Sequence, residues 1–137
     1  MAYPLRRILL VDDDKVTNLM HQRQIIKYKL AASVDVATDG RAALDYLTGR
    51  ETAGETQPEL VLLDINMPRM NGFEFLAEYA TLPVDLHQSQ TIVMVSTSIW
   101  RQDKARAEAD VLVKAYEIKP LSSDDFCRIV RNCQSAS

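Results

Sequence analysis

Short apolar runs that end in an ionisable residue constrain the fold of this chain more than any other feature. Residues 8–11 lead into Asp12, residues 60–63 lead into Asp64, and residues 116–118 lead into Lys119. Such runs are typical of buried strands, and in an open parallel sheet the ligand lies just beyond the carboxyl ends of the strands. The sequence therefore predicts a pocket of carboxylates and one ammonium group, which suits a hard divalent cation and a phosphoryl group.

Strand-like and helix-like segments alternate five times, which predicts an α/β fold with a parallel sheet and helices on both faces. We expect strands at residues 7–12, 33–38, 60–64, 91–96 and 115–118, with the second strand at an edge of the sheet. We expect helices at residues 15–29, from the Asp39 cap to residue 47, from Asn71 past Tyr79, at residues 99–110, and from Ser122 to about residue 133. The polar segments 48–58 and 85–90 are predicted to be loops.

The helix starts carry residues that favour N-caps. Asp39 and Ser98 are predicted single caps, and the pairs Asn71–Glu74 and Ser122–Asp125 have the spacing of a capping box. The first helix is predicted to be amphipathic, and its apolar members are Val16, Leu19, Met20, Ile25 and Ile26.

Length and charge exclude several classes of protein. The chain has 137 residues, which fits one domain, and carries 16 Lys and Arg against 19 Asp and Glu. No basic stretch points to direct nucleic-acid binding, and no apolar run approaches the roughly 18 residues of a membrane span. Cys127 and Cys133 lie about 240° apart around one predicted helix, so they cannot bridge each other. Two free thiols fit a reducing cytoplasm, which is the location we expect.

Five motifs in order along the chain resemble the receiver domain of bacterial two-component response regulators. They are residues 10–14 (LVDDD), Asp39-Gly40, residues 63–72 (LDINMPRMNG), Val95-Ser96 and Lys119-Pro120. The resemblance covers nearly the whole chain and implies a flavodoxin-like, doubly wound, five-stranded parallel sheet of order 2-1-3-4-5 with five helices. It further implies a stand-alone regulator similar to the chemotaxis regulator: a single receiver domain over residues 1–137, with its core at about 6–133 and no output domain.

The acidic residues receive their roles from this resemblance. Asp64 matches the phosphoacceptor, and Asp12 and Asp13 match the pair that binds Mg²⁺, or Mn²⁺, together with Asp64 and the backbone carbonyl of Asn66. Three crowded carboxylates repel one another unless a cation shares them. The alternative for the Asp run is a helix cap or a turn, and we assign that role to Asp14.

The resemblance also assigns a lysine, a hydroxyl and an aromatic residue. Lys119 matches the lysine that pairs with the phosphoryl oxygens, and the bond between it and Pro120 is predicted to be cis. Ser96 matches the hydroxyl that moves towards the phosphoryl group, and Tyr116 matches the aromatic residue that follows it. Thr97 is expected to face away, because neighbouring strand residues point to opposite faces. The alternatives are a surface lysine, a hydroxyl at a helix start and a half-buried tyrosine.

These assignments imply a switch operated by phosphorylation. A sensor histidine kinase or a phosphotransfer protein would be the donor, and the chain would catalyse at most its own phosphoryl transfer and autodephosphorylation, at a rate that Asn66 and Ser98 tune. The signal would leave through the face of the fourth helix, fifth strand and fifth helix, which carries Trp100 and Tyr116, to a downstream protein or a second copy of the chain. His21 and His87 are expected to be solvated rather than to carry phosphate.

Three alternative functions are compared with the phosphorylation switch. A receiver that no longer needs phosphorylation would serve only as a binding module, and the complete acidic set argues against it. A hydrolase of the haloacid dehalogenase type needs a second acid two residues after its nucleophile, where this chain has Asn66. A flavin-binding protein needs a phosphate loop after the first strand, where this chain has acidic residues instead.

Overall fold

The fold is described by a computed structural model that covers residues 3–97 and 100–135. Within these residues five strands form one parallel sheet: β1 (Leu5–Val11), β2 (Ala31–Ala37), β3 (Leu60–Asp64), β4 (Thr91–Ser96) and β5 (Val113–Ile118). Their order across the sheet is β2-β1-β3-β4-β5. The predicted doubly wound sheet, its strand order and the edge position of the second strand are confirmed.

In the part of the chain that the structure describes, six helices flank the sheet rather than the five predicted: α1 (Lys15–Lys27), α2 (Gly40–Ala53), α3 (Gly72–Tyr79), α4 (Val84–Ser89), α5 (Arg101–Ala109) and α6 (Ser123–Ser135). The additional helix is α4, so the predicted loop at residues 85–90 is wrong. It begins after Pro83, and its Leu86 is buried against the core. The fourth and fifth helices of the sequence prediction correspond to α5 and α6.

Helix α2 continues six residues beyond its predicted end, so the predicted loop at residues 48–58 is wrong over its first half. The hydroxyls of Thr48 and Thr52 bond to carbonyls one turn earlier, at Leu44 and Thr48, and are therefore compatible with the helix. The helix ends at Ala53, and its C-cap Gly54 has a φ of 67°, in the left-handed region typical of a glycine at this position.

Most of the predicted caps are present. Asp14 accepts a hydrogen bond from Val16 N–H and caps α1, Asp39 caps α2, and Asn71 with Glu74 forms a capping box on α3. Ser122 and Asp125 bond reciprocally at the start of α6. The predicted cap at Ser98 lies outside the described residues, and α5 is described from Arg101, with Trp100 before it.

The orientation of α1 differs from the prediction. Of its five apolar members only Ile25 is buried, whereas Val16, Leu19, Met20 and Ile26 are exposed. Asn18 and His21 are buried instead. The prediction that the two histidines are solvated is also wrong, because His21 is only 3% exposed and the half-buried His87 ring packs on Tyr79 at a centroid distance of 4.6 Å.

The core has two parts, because alternate strand residues point to opposite faces of the sheet. One part lies under α2, α3, α4 and α5 and includes Phe75 and Tyr79. The other lies under α1 and α6 and includes Ile25 and Phe126. Cys127 and Cys133 are both free, as predicted. Among the described residues, no helix has the length and apolar character needed to cross a membrane.

Candidate functional site

The carboxyl ends of four strands bring the predicted site residues to one edge of the sheet. Asp12 directly follows β1, Asp64 ends β3, Ser96 ends β4 and Lys119 directly follows β5. The strand register sets this proximity, because Val11 pairs with Leu63 and Ser96 pairs with Ile118. Residues more than 100 positions apart in the chain therefore line one site.

Three carboxylates form the acidic part of the site. One oxygen each from Asp12, Asp13 and Asp64 lie within 4.8 Å of one another. Asp12 and Asp64 are buried, whereas Asp13 is exposed, so the cluster reaches solvent on one side. The donors are all oxygens, which suits Mg²⁺ or Mn²⁺ rather than metals that prefer thiolate or imidazole.

Lys119 supplies the positive charge of the site. Its Nζ lies 2.6 Å from Asp12 Oδ2 and 3.3 Å from Asp64 Oδ1. Its backbone N–H donates to the carbonyl of Ser96 at 3.0 Å, which joins the ends of β4 and β5. The Lys119–Pro120 bond is cis, as predicted.

Burial and charge act in opposite directions on the ionisable groups of the site. Burial, and next the neighbouring carboxylate of Asp12, raise the pKa of Asp64 to about 6, while Lys119 opposes the rise. Burial by itself lowers the pKa of Lys119, but the hydrogen bond to Asp12 and the charges of both carboxylates raise it overall. The two buried carboxylates of Asp12 and Asp64 repel each other, and a bound divalent cation would offset this repulsion. The site therefore fits a divalent cation.

The loop between β3 and α3 lies beside the acidic cluster. Asn66 is exposed on this loop, two residues after Asp64. Gly72 N–H donates to the carbonyl of Ile65 at 2.8 Å, and a Cβ at position 72 would collide with the carbonyl oxygen of Asp64. Only glycine permits this approach of α3 to the end of β3.

The same loop is tied to the start of α2. Arg69 has a φ of 63°, which residues other than glycine rarely adopt. Its guanidinium forms two contacts with one oxygen of Asp39, at 2.8 Å from Nε and 2.7 Å from Nη2. The carbonyl of Met70 also accepts a hydrogen bond from Gly40 N–H at 3.1 Å. Sequence reasoning assigned Asp39 only as a cap and missed this second role.

The predicted switch residues differ in exposure. Ser96 is fully buried, and Thr97 after it is exposed. Tyr116 is half-buried and packs against the part of the core under α2, α3, α4 and α5. Trp100, the residue directly before α5, is 68% exposed. The structure thus places Ser96 beside the acidic cluster and Tyr116 on the neighbouring strand, opposite Met94.

Polar residues of α1 reach the site and were missed from the sequence. Asn18 Nδ2 donates to the carbonyl of Asp12 at 2.9 Å. His21 and Gln24 contact the backbone of Leu121, two residues after Lys119. The signal was present as polar side chains at positions 18, 21 and 24, a spacing that puts them on one face of a helix.

Comparisons with known proteins agree with this geometry. The family model described as the response regulator receiver domain matches residues 8–131. A two component response regulator from Cytophaga hutchinsonii has a similar structure, with a TM-score of 0.88, 27% identity and coverage of 97% of this chain and 98% of that one.

Two further relatives carry descriptions that bear on the site. Response regulator Rcp1 from Synechocystis is 29% identical over 96% of this chain and 88% of its own length. A structure of the Mn²⁺-bound form of response regulator Rcp1 has a TM-score of 0.70, with 30% identity over 95% of this chain and 92% of that one. The phosphorylated cyanobacterial phytochrome response regulator RcpA has a TM-score of 0.74, with 30% identity over 98% of this chain and 93% of that one.

Proposed function

We propose, because this chain belongs to the response regulator receiver domain family, that it is a switch operated by phosphorylation of Asp64 in a two-component system. The observation that carries the proposal is the buried Asp64 carboxylate, which belongs to an acidic cluster suited to Mg²⁺ and lies 3.3 Å from the ammonium group of Lys119. The similarity to RcpA, whose structure is that of a phosphorylated form, supports it.

In this proposal Asp12, Asp13, Asp64 and the backbone carbonyl of Asn66 hold Mg²⁺, for which Mn²⁺ can substitute. The bound ion supplies positive charge to the phosphoryl oxygens. A carboxylate oxygen of Asp64 forms the new bond to phosphorus, while the bond to the donor breaks and its electron pair remains on the leaving group. Lys119 exchanges part of its contact with the two aspartates for a contact with the incoming phosphoryl oxygens.

The proposed switch converts the new charge into a change of shape. The hydroxyl of Ser96, at the end of β4, donates to a phosphoryl oxygen, and Tyr116 moves into the space that the hydroxyl leaves. The face formed by α5, β5 and α6 then changes. The exposed side chains of Trp100 and Ile118 make that face a surface for a downstream protein or for a second copy of the chain.

A protein phosphodonor needs a surface close to Asp64, and α1 offers one. We name its four exposed apolar residues the outer α1 face: Val16, Leu19, Met20 and Ile26. The helix starts three residues after Asp12, so this face begins beside the acidic cluster. A sensor histidine kinase or phosphotransfer protein that docks there would bring its phosphohistidine to the site.

The two free cysteines support a cytoplasmic location for the exchange.

We propose no enzymatic activity beyond the chain's own phosphoryl transfer and autodephosphorylation. Receiver domains are generally signalling domains. The rival hypothesis that this receiver binds a partner without phosphorylation predicts no reaction at Asp64, so one experiment separates the two.

The experiment is incubation with acetyl phosphate and Mg²⁺, followed by mass spectrometry of the intact chain. We expect one phosphoryl adduct that is stable in acid and labile in base, no adduct after Asp64→Asn, and none after chelation of Mg²⁺. Equal labelling of wild type and Asp64→Asn would refute the assignment. An unlabelled wild type would favour the phosphorylation-independent module.

Asp13→Asn and Asp14→Asn are a matched pair for the metal site. Asparagine is a good N-cap, so the second variant keeps the cap of α1. We expect Asp13→Asn to weaken Mg²⁺ binding more than Asp14→Asn does. The opposite order would show that the metal ligands are assigned one residue out of register.

A further inference from the structure

Three polar side chains on the inner side of α1 contact the backbone that carries the site residues. We name them the inner α1 stripe: Asn18, His21 and Gln24. Asn18 Nδ2 donates to the carbonyl of Asp12 at 2.9 Å. Gln24 Nε2 donates to the carbonyl of Leu121 at 3.0 Å, and Leu121 N–H donates to His21 Nε2 at 3.4 Å. The stripe therefore connects the ends of β1 and β5.

Leu121 is attached through both of its backbone polar groups. Its N–H and its carbonyl each bond to a side chain of α1, and its own side chain is buried. On the other side of Pro120, Lys119 N–H bonds to Ser96. The segment from residue 119 to residue 121 is thus held at one end by β4 and at the other by α1, and the Lys119 side chain projects from between these two anchors.

The polar character of the stripe is costly for stability. Asn18 and His21 are 5% and 3% exposed, and burial of polar groups is unfavourable unless they are hydrogen-bonded. Asn18 Oδ1 and Gln24 Oε1 are buried and have no hydrogen-bond partner within the described residues. A helix that served packing alone would carry apolar side chains at these positions, so the polar stripe points to another role.

The protonation state of His21 agrees with its contact. Burial lowers the pKa of this imidazole to about 4, so the ring is neutral near pH 7. A neutral ring can carry its hydrogen on Nδ1 and accept at Nε2, as the bond from Leu121 N–H requires.

We propose that His21 and Gln24 are positioning residues for Lys119: they fix the backbone of Leu121 and thereby hold the Lys119 ammonium where it meets the phosphoryl group. The inference rests on the proposed function, because it concerns the rate of phosphoryl transfer to Asp64. Neither residue touches the reacting atoms.

Loss of the contacts to Leu121 should affect the rate of phosphoryl transfer and the affinity for Mg²⁺ differently. Release of Leu121 should misplace Lys119 and slow transfer from a small donor, because small displacements of a catalytic group carry large rate penalties. Mg²⁺ affinity should not fall, because Asp12, Asp13 and Asp64 hold the ion, whereas Lys119 is a competing cation beside two of these carboxylates. General damage to the domain would lower both quantities.

Two substitutions at position 21 separate the acceptor from the ring. His21→Phe keeps a ring against Phe126, whose centroid lies 5.2 Å from that of His21, but removes the acceptor. His21→Gln removes the ring but can place an oxygen near the position of Nε2.

Gln24→Met removes the donor to the Leu121 carbonyl with little change in shape. Gln22→Ala is the control, because Gln22 has no described side-chain hydrogen bond to the Lys119–Leu121 segment.

The experiment measures the rate of phosphorylation by acetyl phosphate at saturating Mg²⁺, and Mg²⁺ affinity by titration calorimetry. We expect His21→Phe and Gln24→Met to react about tenfold more slowly than wild type, and His21→Gln and Gln22→Ala to react within about twofold of it. Hydrogen exchange at the Leu121 amide should be faster in His21→Phe and close to wild type in His21→Gln.

Three outcomes would overturn the inference while the proposed function stands. They are a wild-type rate in His21→Phe, a rate in His21→Gln as low as that in His21→Phe, and a parallel loss of Mg²⁺ affinity in the slow variants. A wild-type chain that acquires no phosphoryl group would refute the proposed function itself, and the role of the stripe would be refuted with it.

Discussion

Helices α1 and α6 pack on the same face of the sheet but divide their polar and apolar residues in opposite ways. The two helices touch through the rings of His21 and Phe126, which meet edge to face. Helix α6 buries apolar side chains, namely Phe126, Ile129, Val130 and Cys133. Helix α1 buries only one apolar side chain, Ile25, together with the polar Asn18 and His21, and exposes four apolar side chains, the outer α1 face.

The difference shows which helix is shaped by the core and which by the site. Full burial of a large apolar side chain contributes about 1.5–3 kcal/mol, and α6 obtains this at several positions. The exposed apolar residues of α1 do not contribute this stabilising free energy. Its buried polar residues lose their contact with water, which is unfavourable for stability. Because α1 starts directly after the Asp12–Asp14 run, its inward side serves the backbone of the site, and its outward side is available to a partner.

The largest expected effect is the loss of an α6 core residue. Phe126 is fully buried, so Phe126→Ala should lower the free energy of unfolding by about 3–5 kcal/mol, through lost transfer energy and the cavity that remains. Met20→Ala on α1 should change it by less than about 0.5 kcal/mol, because Met20 is on the surface. Urea unfolding of both variants measures the contrast. Similar losses in the two would mean that α1 packs as the sequence alone suggests.

The sheet and the acidic site could be predicted because their signals are local. Each buried strand is a short apolar run, and the residue that follows it lies at a known edge of a parallel sheet. The sequence pattern alone therefore predicts that Asp12, Asp64 and Lys119 lie together. The caps at Asp14 and Asn71 were predictable for the same reason, since a cap depends on residues within one turn.

The side of α1 that faces inward could not be predicted in this way. Amphipathicity assumes that the apolar stripe faces the core, and that assumption fails where a helix borders a functional site. Helix α4 was missed because a six-residue helix has too few turns to show periodicity. The end of α2 was missed because Gly49 resembles a helix terminus, whereas the helix continues to Ala53 and has Gly54 as its C-cap.

A second, smaller effect concerns the inner α1 stripe and pH. The pKa of His21 is about 4 in the folded protein, well below its ordinary value of 6.5, because burial disfavours the charged ring. Between pH 6.5 and 4 the unfolded chain therefore binds more protons at this position than the folded one. The contribution of His21 to stability is fully present above pH 6.5 and is lost as pH falls through this window, by about 3 kcal/mol in total.

The pair of wild type and His21→Phe isolates this contribution. Asp64, with its pKa raised to about 6 mainly by burial, has the opposite pH dependence in the metal-free protein and is common to both chains. We expect the difference in free energy of unfolding between wild type and His21→Phe to shift in favour of His21→Phe as pH falls from 6.5 to 4 in metal-free buffer. Denaturant unfolding at a series of pH values measures it. A constant difference would mean that His21 is accessible to protons when folded, in conflict with its burial.

The smallest effect on stability is expected at the outer α1 face, where the effect on function should be specific. Leu19→Ser removes an exposed apolar side chain and should alter the free energy of unfolding by no more than about 0.5 kcal/mol. If the face docks a protein donor, loss of one apolar anchor costs about 1.4 kcal/mol, or tenfold in affinity. Phosphorylation by acetyl phosphate needs no docking and should be unchanged.

The test compares wild type and Leu19→Ser with two donors: acetyl phosphate, and a histidine kinase chosen because it phosphorylates the wild-type chain. Val111→Ser is the matched control, since Val111 is 86% exposed but lies just before β5 and away from α1. We expect Leu19→Ser alone to lose transfer from the kinase while it keeps transfer from acetyl phosphate. Equal transfer from the kinase to all three chains would assign docking to another surface, and the exposed apolar side of α1 would then lack the role that distinguishes it from α6.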